Sequence, residues 1–407
     1  MGISFWCRFY HSAALILTPS LKPLALYIHW PFCLSKCPYC DFNSHVRQYI
    51  DEQAWQKALL HELKRYAELL QTWQQPRRLE TIFFGGGTPS LMKPQTVEII
   101  LKQALQLWPV AEDLEITLEA NPNSVEVKAF QALNQAGVNR ISIGIQALYD
   151  EDLKKLGRQH SAAESFTAIE TACRTFERVS FDLIYARPGQ TVDDWQSELL
   201  QALSFGTEHL SLYQLTIEAG TAFATLHDRG DLVLPTNDIS ADLYELTQSI
   251  MNAHHRPAYE VSNHAKAGAE CRHNKAYWRY QDYIGIGPGA HGRLSQTTTA
   301  KVATRQIKSP EGWLKSIEAH GHGDAEVVDV SLNDQLREQL LMGLRLTQGI
   351  NLNDLVIPLE QALDGQLINR QRLEYLKQGR YLEVNDHHLK ATPAGQQRLQ
   401  SVLNYLL

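Results

Sequence analysis

Two kinds of apolar pattern take turns along the chain between Leu24 and Thr216. Short, nearly continuous apolar runs occur at Leu24–Trp30, Thr81–Phe84, Leu114–Ala120, Arg140–Gln146, Val179–Ala186 and Leu210–Thr216. Such runs suit strands buried on both faces, as in a parallel sheet covered by helices. In the intervening segments apolar residues return every three or four positions. They predict helices over Gln53–Trp73, Pro94–Leu107, Val125–Gln135, Asp150–Leu156, Ala162–Phe176 and Asp193–Phe205. Ala136-Gly137 supplies a helix-stop signal after the third of these. Six strand–helix repeats fall short of a closed eightfold barrel, so the expected scaffold is an α/β partial (β/α)6 barrel, open at one side.

Beyond it the pattern changes. A second, small domain is expected from Ser309-Pro310 to the C-terminus, leaving residues 23–308 to the barrel and its extension. Helical periodicity covers 333–346 and 366–379, and Arg380–Val384 with His388–Ala391 reads as a small β-wing. A mostly helical, winged-helix-like unit invites a DNA-binding reading, but charge opposes it. Residues 310–407 carry 9 basic and 13 acidic side chains, the wrong sign for neutralising phosphates. The domain is expected to act as a lid or interaction module over the open side of the barrel.

Composition narrows the class without naming it. The 407 residues are 44% hydrophobic and 20% charged, with net charge −7, as in a globular protein with no basic footprint for nucleic acid. Six cysteines at positions 7, 33, 37, 40, 173 and 271 are too few and too unevenly placed for a disulfide framework. They point to a reducing, cytoplasmic setting. Residues 1–22 contain no acidic side chain, and the apolar run Ala13–Leu17 is too short for a membrane span or a secretory core. Arg8, Lys22 and the serines give a weak organelle-transit signal. A disordered tail or a start placed too early is the expectation, with ordered chain from about Pro23.

Candidate chemistry concentrates in HWPFCLSKCPYCDFNSH. Cys33, Cys37 and Cys40 place three thiols within eight residues, and no fourth lies close in sequence. Three thiolates cannot close a tetrahedral zinc site, but they can hold three irons of a [4Fe–4S] cube and leave the fourth open to a chelating ligand. Cys37-Pro38-Tyr39-Cys40 alone would also suit a thioredoxin-type redox pair, or half of a zinc knuckle, although both leave Cys33 unexplained. Phe32, Pro38, Tyr39 and Phe42 are expected to form an apolar shell limiting access to the sulfurs. Other polar or glycine-rich features fall at the C-terminal ends of predicted strands, where such scaffolds carry their sites. These are Gly85-Gly86-Gly87-Thr88-Pro89, Glu119-Ala120-Asn121-Pro122, Gln146 and Asp182.

Together the segments CxxxCxxCDFNSH, FFGGGTPS, EANP, RISIGIQ, LGRQH and DLIYARPGQ resemble the radical S-adenosylmethionine (SAM) family that contains the oxygen-independent coproporphyrinogen III oxidases and the heme chaperones. The likeness runs from about Leu24 to the C-terminus. It implies a [4Fe–4S] cluster on Cys33, Cys37 and Cys40, and SAM as its ligand. It also implies SAM contacts from Tyr27, from Gly86 and Gly87 by close backbone approach, and from Thr88. Glu119 would meet the cationic ligand or its ribose, Arg158 would fork onto the methionyl carboxylate, and Gln146 and Asp182 would meet the ribose hydroxyls. Ala186-Arg187-Pro188-Gly189 departs from the family's usual run and leaves the contacts at that rim open.

Two local features bear on the branch. The oxidases carry a fourth cysteine two residues past the third, where this chain has Phe42. His273-Asn274-Lys275-Ala276-Tyr277-Trp278 resembles the HNxxYW motif linked with heme binding. His273 would ligate heme iron, with Tyr277 and Trp278 offering flat faces, and His291 is a weaker second candidate. The bland alternative is a hydrogen-bonded histidine in an aromatic core. The expected function is a heme chaperone that binds cluster, SAM and heme and passes heme to an acceptor protein of unknown identity. The alternative is an enzyme, oxidatively decarboxylating coproporphyrinogen III propionates to give protoporphyrinogen IX; a radical SAM enzyme with another substrate is a third reading. A flavodoxin- or ferredoxin-type electron donor and a homodimer are compatible with the resemblance. No nucleic-acid partner and no stable transmembrane segment are expected.

Overall fold

Six strands form where the apolar runs lie: β1 (Lys22–Trp30), β2 (Arg77–Gly86), β3 (Val110–Ala120), β4 (Arg140–Gln146), β5 (Arg178–Tyr185) and β6 (His209–Gln214). Each is parallel to the next. The computed structural model describes residues 21–407, so the expectations for residues 1–20 of the N-terminal tail lie outside the described residues, while Lys22 already belongs to β1. Helices α1 (Glu52–Thr72), α2 (Pro94–Leu107), α3 (Ser124–Gln135), α4 (Asp150–Lys155), α5 (Ala162–Thr175) and α6 (Val192–Ser204) join the strands. Their starts are chemically marked. Asp51 and Asn123 accept from the first-turn amides of α1 and α3, and Ser161 with Glu164 and Thr191 with Asp194 form capping boxes on α5 and α6.

After β6 come α7 (Ala222–Asp228), α8 (Asn237–Ala253) and β7 (Asn263–Ala265), which pairs antiparallel with β6. The chain then returns to the opposite edge through α9 (Arg272–Trp278). There β8 (Asp282–Ile286) lies parallel to β1 and starts an antiparallel ladder with β9 (His291–Ser295), β10 (Lys301–Gln306) and β11 (Asp324–Val330). The result is one eleven-stranded sheet in the order β11-β10-β9-β8-β1-β2-β3-β4-β5-β6-β7. Its main core includes Leu26, Ile28, Phe84, Leu118, Ile143, Phe181 and Leu210, none with measurable exposure.

The sheet runs past the boundary expected at Ser309. In α10 (Pro310–His320), Trp313 is fully buried in the main core and stacks on Trp55 of α1 at 5.4 Å, and β11 follows as the edge strand. The apolar indole fixes this segment to the barrel. A separate core starts with α11 (Leu332–Gly343) and unites Leu336, Leu340, Leu376, Leu389 and Leu403. It surrounds a three-stranded sheet, β12 (Ile350–Asn351), β13 (Leu382–Val384) and β14 (His388–Ala391), in the order β12-β14-β13. The helices α12 (Leu359–Asp364), α13 (Arg370–Gln378), α14 (Pro393–Gln397) and α15 (Leu399–Leu406) complete this winged-helix-like unit. Among the described residues, no helix is long and apolar enough to cross a membrane.

Candidate cluster site and adjoining cavity

The loop that leaves β1 carries the three cysteines and is pinned to the end of β2 by backbone. The Gly87 amide donates to the Trp30 carbonyl (2.7 Å) and the Thr88 amide to the Phe32 carbonyl (2.8 Å). A Cβ on Gly87 would stand 2.7 Å from the Phe32 oxygen, and one on Gly86 (φ 112°) would meet the His29 ring, with Nδ1 at 2.6 Å. Gly87 therefore admits the backbone of the cysteine loop and Gly86 the His29 ring of β1. The Thr88 hydroxyl donates to Cys33 Sγ (3.4 Å), and Arg158 Nη1 donates to Cys37 Sγ (3.2 Å).

All three thiols are unbridged and half-buried, and burial raises the pKa of Cys33 and Cys40. Among the described residues no three Cys, His, Asp or Glu side chains converge closely enough for a single metal ion. The apolar shell is only partial: Phe32 is buried, but Phe42 is 61% and Leu34 60% exposed.

Ten of the expected site residues line one cavity of about 380 Å³ at the C-terminal ends of the strands: Cys33, Cys37, Cys40, Gly86, Gly87, Thr88, Glu119, Gln146, Arg158 and Asp182. Gln146 reaches it from a left-handed backbone (φ 76°) at an irregularity in the β4–β5 pairing, a strained conformation of the kind found at ligand sites. Glu119 Oε2 accepts from the Gly86 amide (3.1 Å). Burial, and then the charge of Asp182, push its pKa up to about 7. Asp182 is raised by burial to about 6, although the Ser211 and Ser142 hydroxyls oppose the shift. An acidic pair on a partly desolvated wall is suited to a cationic ligand.

Arg158 departs from its expected role. Its Nη2 is taken by Asn121 Oδ1 (2.6 Å) and the Gly144 carbonyl (2.7 Å), and its Nη1 by Cys37, while buried Nε has no partner. The guanidinium thus braces the cysteine loop and does not present a free fork. Asn121, which also donates to Thr88 Oγ1 (3.0 Å), was legible only as part of EANP. His160, whose pKa burial lowers to about 4, lines the cavity as well. Arg187, in the segment that departs from the family run, lines neither this cavity nor its neighbour; it is buried in ion pairs with Glu198 and Asp152.

Tyr27 and His273 are not brought to the cluster cavity. Tyr27 lines a second cavity of about 480 Å³ that adjoins the first through Gly86, Glu119 and Phe42, and its hydroxyl bonds His29 Nδ1 at 3.0 Å. The second cavity is walled by Tyr277, Trp278, Tyr280 and Tyr283, with His291 and Arg293 from β9 and Glu338 and Met342 from α11. Asn43 ties its rim together, donating to the Pro288 carbonyl (2.9 Å) and the Lys308 carbonyl (3.0 Å).

His273 lies beneath this cavity, 1% exposed. Its Nδ1 bonds Thr81 Oγ1 (2.7 Å), its Nε2 bonds the Tyr277 hydroxyl (2.8 Å), and burial lowers its pKa to about 3. Both nitrogens are engaged, so the expected heme-ligand role for His273 is corrected to that of a core histidine supporting Tyr277. His291, by contrast, is exposed to the cavity. Burial, and then Arg293 and other nearby cations, lower its pKa, which keeps the imidazole neutral and able to ligate a metal.

A parallel partial barrel with a three-cysteine loop at its rim is the arrangement that defines radical SAM proteins. The profile of the radical SAM superfamily matches residues 27–200, and that of the HemN C-terminal domain matches residues 330–398. Bovine "Radical S-adenosyl methionine domain-containing protein 1, mitochondrial" is 40% identical over 82% of this chain and 75% of its own length. Heme chaperone HemW of Escherichia coli is 39% identical over 76% of this chain and 80% of that protein, and the Bacillus subtilis HemW 36% over 83% and 88%. By these matches the chain belongs to the radical SAM family as a HemW-like member, which implies a [4Fe–4S] cluster and SAM. The fold is shared with coproporphyrinogen III oxidase (HemN) from Escherichia coli, at TM-score 0.76, 20% identity and coverage of 95% of this chain and 90% of that one.

Proposed function

We propose that the protein is a heme chaperone that carries a [4Fe–4S] cluster on Cys33, Cys37 and Cys40, binds SAM in the cluster cavity and heme in the adjoining one, and passes heme to an acceptor protein. The observation that carries this reading is the aromatic second cavity, with Tyr277 and Trp278 on its wall, sharing Gly86 and Glu119 with the cluster cavity. Phe42 also lies on both cavities where the oxidases have a fourth cysteine, which disfavours the coproporphyrinogen reading.

When bound, cluster and SAM would supply one-electron chemistry, and a flavodoxin- or ferredoxin-type donor would suit it. The chain's own groups bind and orient. Glu119 would meet the cationic part of SAM, and Asp182 and Gln146 its hydroxyls, while Thr88 steadies Cys33. Sparse, unevenly placed cysteines favour a cytoplasmic setting, and the mitochondrial name of the bovine relative favours the organelle.

An anaerobic heme titration followed by absorbance tests the reading. Wild type is expected to saturate near one heme. His291→Ala should weaken binding and change the ligand-sensitive bands, whereas His273→Ala should keep those bands and lose thermal stability. A wild type with no saturable binding would remove the chaperone reading. Arg158→Ala is expected to lower iron content along with SAM affinity, because it frees Cys37 from its brace; full iron with weakened SAM binding would restore the carboxylate fork.

A further inference from the structure

Resting on that reading, the second cavity has a polar end that neither ring stacking nor iron ligation uses. Arg293 and His291 sit two residues apart on β9, so both project from one face, about 7 Å apart along the strand. Gly292 between them faces the other way, where a Cβ would crowd the Thr304 side chain and the Tyr283 carbonyl. Arg293 is engaged as a fork: Nε donates to Glu338 Oε2 (3.0 Å) and Nη2 to Glu338 Oε1 (2.8 Å). The Tyr280 hydroxyl donates to the same carboxylate. The pair is neither sealed nor fully solvated, with side chains 20% and 24% exposed, and both members line the cavity.

Its two halves come from different units. Arg293 belongs to the barrel sheet and Glu338 to α11, the first helix of the C-terminal core. A bidentate carboxylate site is therefore already built on the wall of an aromatic cavity, and a protein side chain fills it. We propose that Arg293 is the specificity anchor for a carboxylate arm of the ligand, and that Glu338 is the placeholder that arm displaces. The exchange is carboxylate for carboxylate, so the guanidinium never loses its partner, which is the expensive step at such sites. The ligand class is then a flat, largely apolar macrocycle with at least one free carboxylate. Its body lies against Tyr277 and Trp278, and its metal faces His291. The exchange also parts Glu338 from Arg293 and leaves it the Tyr280 hydroxyl, so binding loosens one of two ties between that carboxylate and the barrel.

The test compares iron protoporphyrin as the free acid with its dimethyl ester, each titrated by absorbance into the full-length protein. Wild type is expected to favour the acid by about tenfold, the scale of one charge-assisted fork. Arg293→Met should reduce that preference to less than about twofold. Glu338→Gln should do the opposite, tightening the acid several-fold while leaving the ester unchanged, because the competing carboxylate is gone. A purely structural ion pair would weaken both ligands alike in both variants. Equal binding of acid and ester by wild type, or a preference retained in Arg293→Met, overturns the anchor and leaves the chaperone reading standing. Binding of neither ligand overturns both.

Discussion

Cys37→Ser is expected to abolish the visible absorbance of the reconstituted cluster and to leave iron near background, while the fold stays intact. Cys37 is half-buried and lies on a loop outside the hydrophobic core, and its Sγ accepts from Arg158. Losing the thiol therefore removes little packing. The chemistry changes far more. Serine offers a hard, weakly acidic hydroxyl where iron in a sulfide cube needs a thiolate, and with three ligands on three irons no neighbour can substitute. Cys173→Ser is the matched control, since that residue is exposed on α5, away from the rim, and it should leave iron content unchanged. Iron and absorbance measured in parallel decide the matter. An intact cluster in Cys37→Ser, or its loss in Cys173→Ser, would overturn the ligand assignment.

How much of this site the sequence discloses depends on how local its determinants are. The six parallel strands were legible because burial on both faces forces continuous apolar runs. Helix Pro94–Leu107 was legible to the residue because proline can open a helix but not continue one. The cluster cavity was legible for the same reason, since a parallel scaffold gathers its strand ends at one rim. The second cavity was not. It depends on β8 and β9 returning to β1 across more than 250 positions, with Asn43 tied to Pro288 and Lys308, and no local pattern encodes that pairing.

The fate of His273 shows the same limit within a single turn of helix. His273 and Tyr277 are four residues apart, so they share a face of α9 and bond to each other. Trp278, one step around, reaches the cavity without His273. The motif revealed aromatic surface near the site, but the rotation of α9, which decides who faces it, is set by Thr81 and by Glu115. The Glu115 carboxylate accepts from the His273 and Arg272 amides. In the same way the run Ala186–Gly189 left the contacts at its rim open, because the partners of Arg187, Glu198 and Asp152, come from helices whose approach is tertiary.

SAM affinity is expected to rise with pH through about 6 to 7 in wild type, and to be both weaker and flatter in Glu119→Gln. Glu119 lies well above its ordinary 4.5 because burial, and then Asp182, disfavour its ionised form; the pair titrates as a unit. A carboxyl whose folded pKa is raised stabilises the protein below the unfolded pKa and loses that contribution as pH climbs through the folded value. Without ligand, the protein should therefore lose stability between about pH 4.5 and 7, by roughly 3 kcal/mol at most from Glu119. Glu119→Gln should unfold at a higher temperature than wild type at pH 8, and at a similar one at pH 5. A cationic ligand reverses the balance, because its charge favours the ionised pair that the empty site resists. Below the pKa, each pH unit should then cost about tenfold in affinity per proton released. Calorimetry in two buffers of different ionisation enthalpy counts that proton directly. A wild-type affinity flat in pH, with no proton released, would place the cationic part of SAM away from Glu119. The stability crossover of Glu119→Gln would persist even then, because it belongs to the buried carboxylate and not to the ligand.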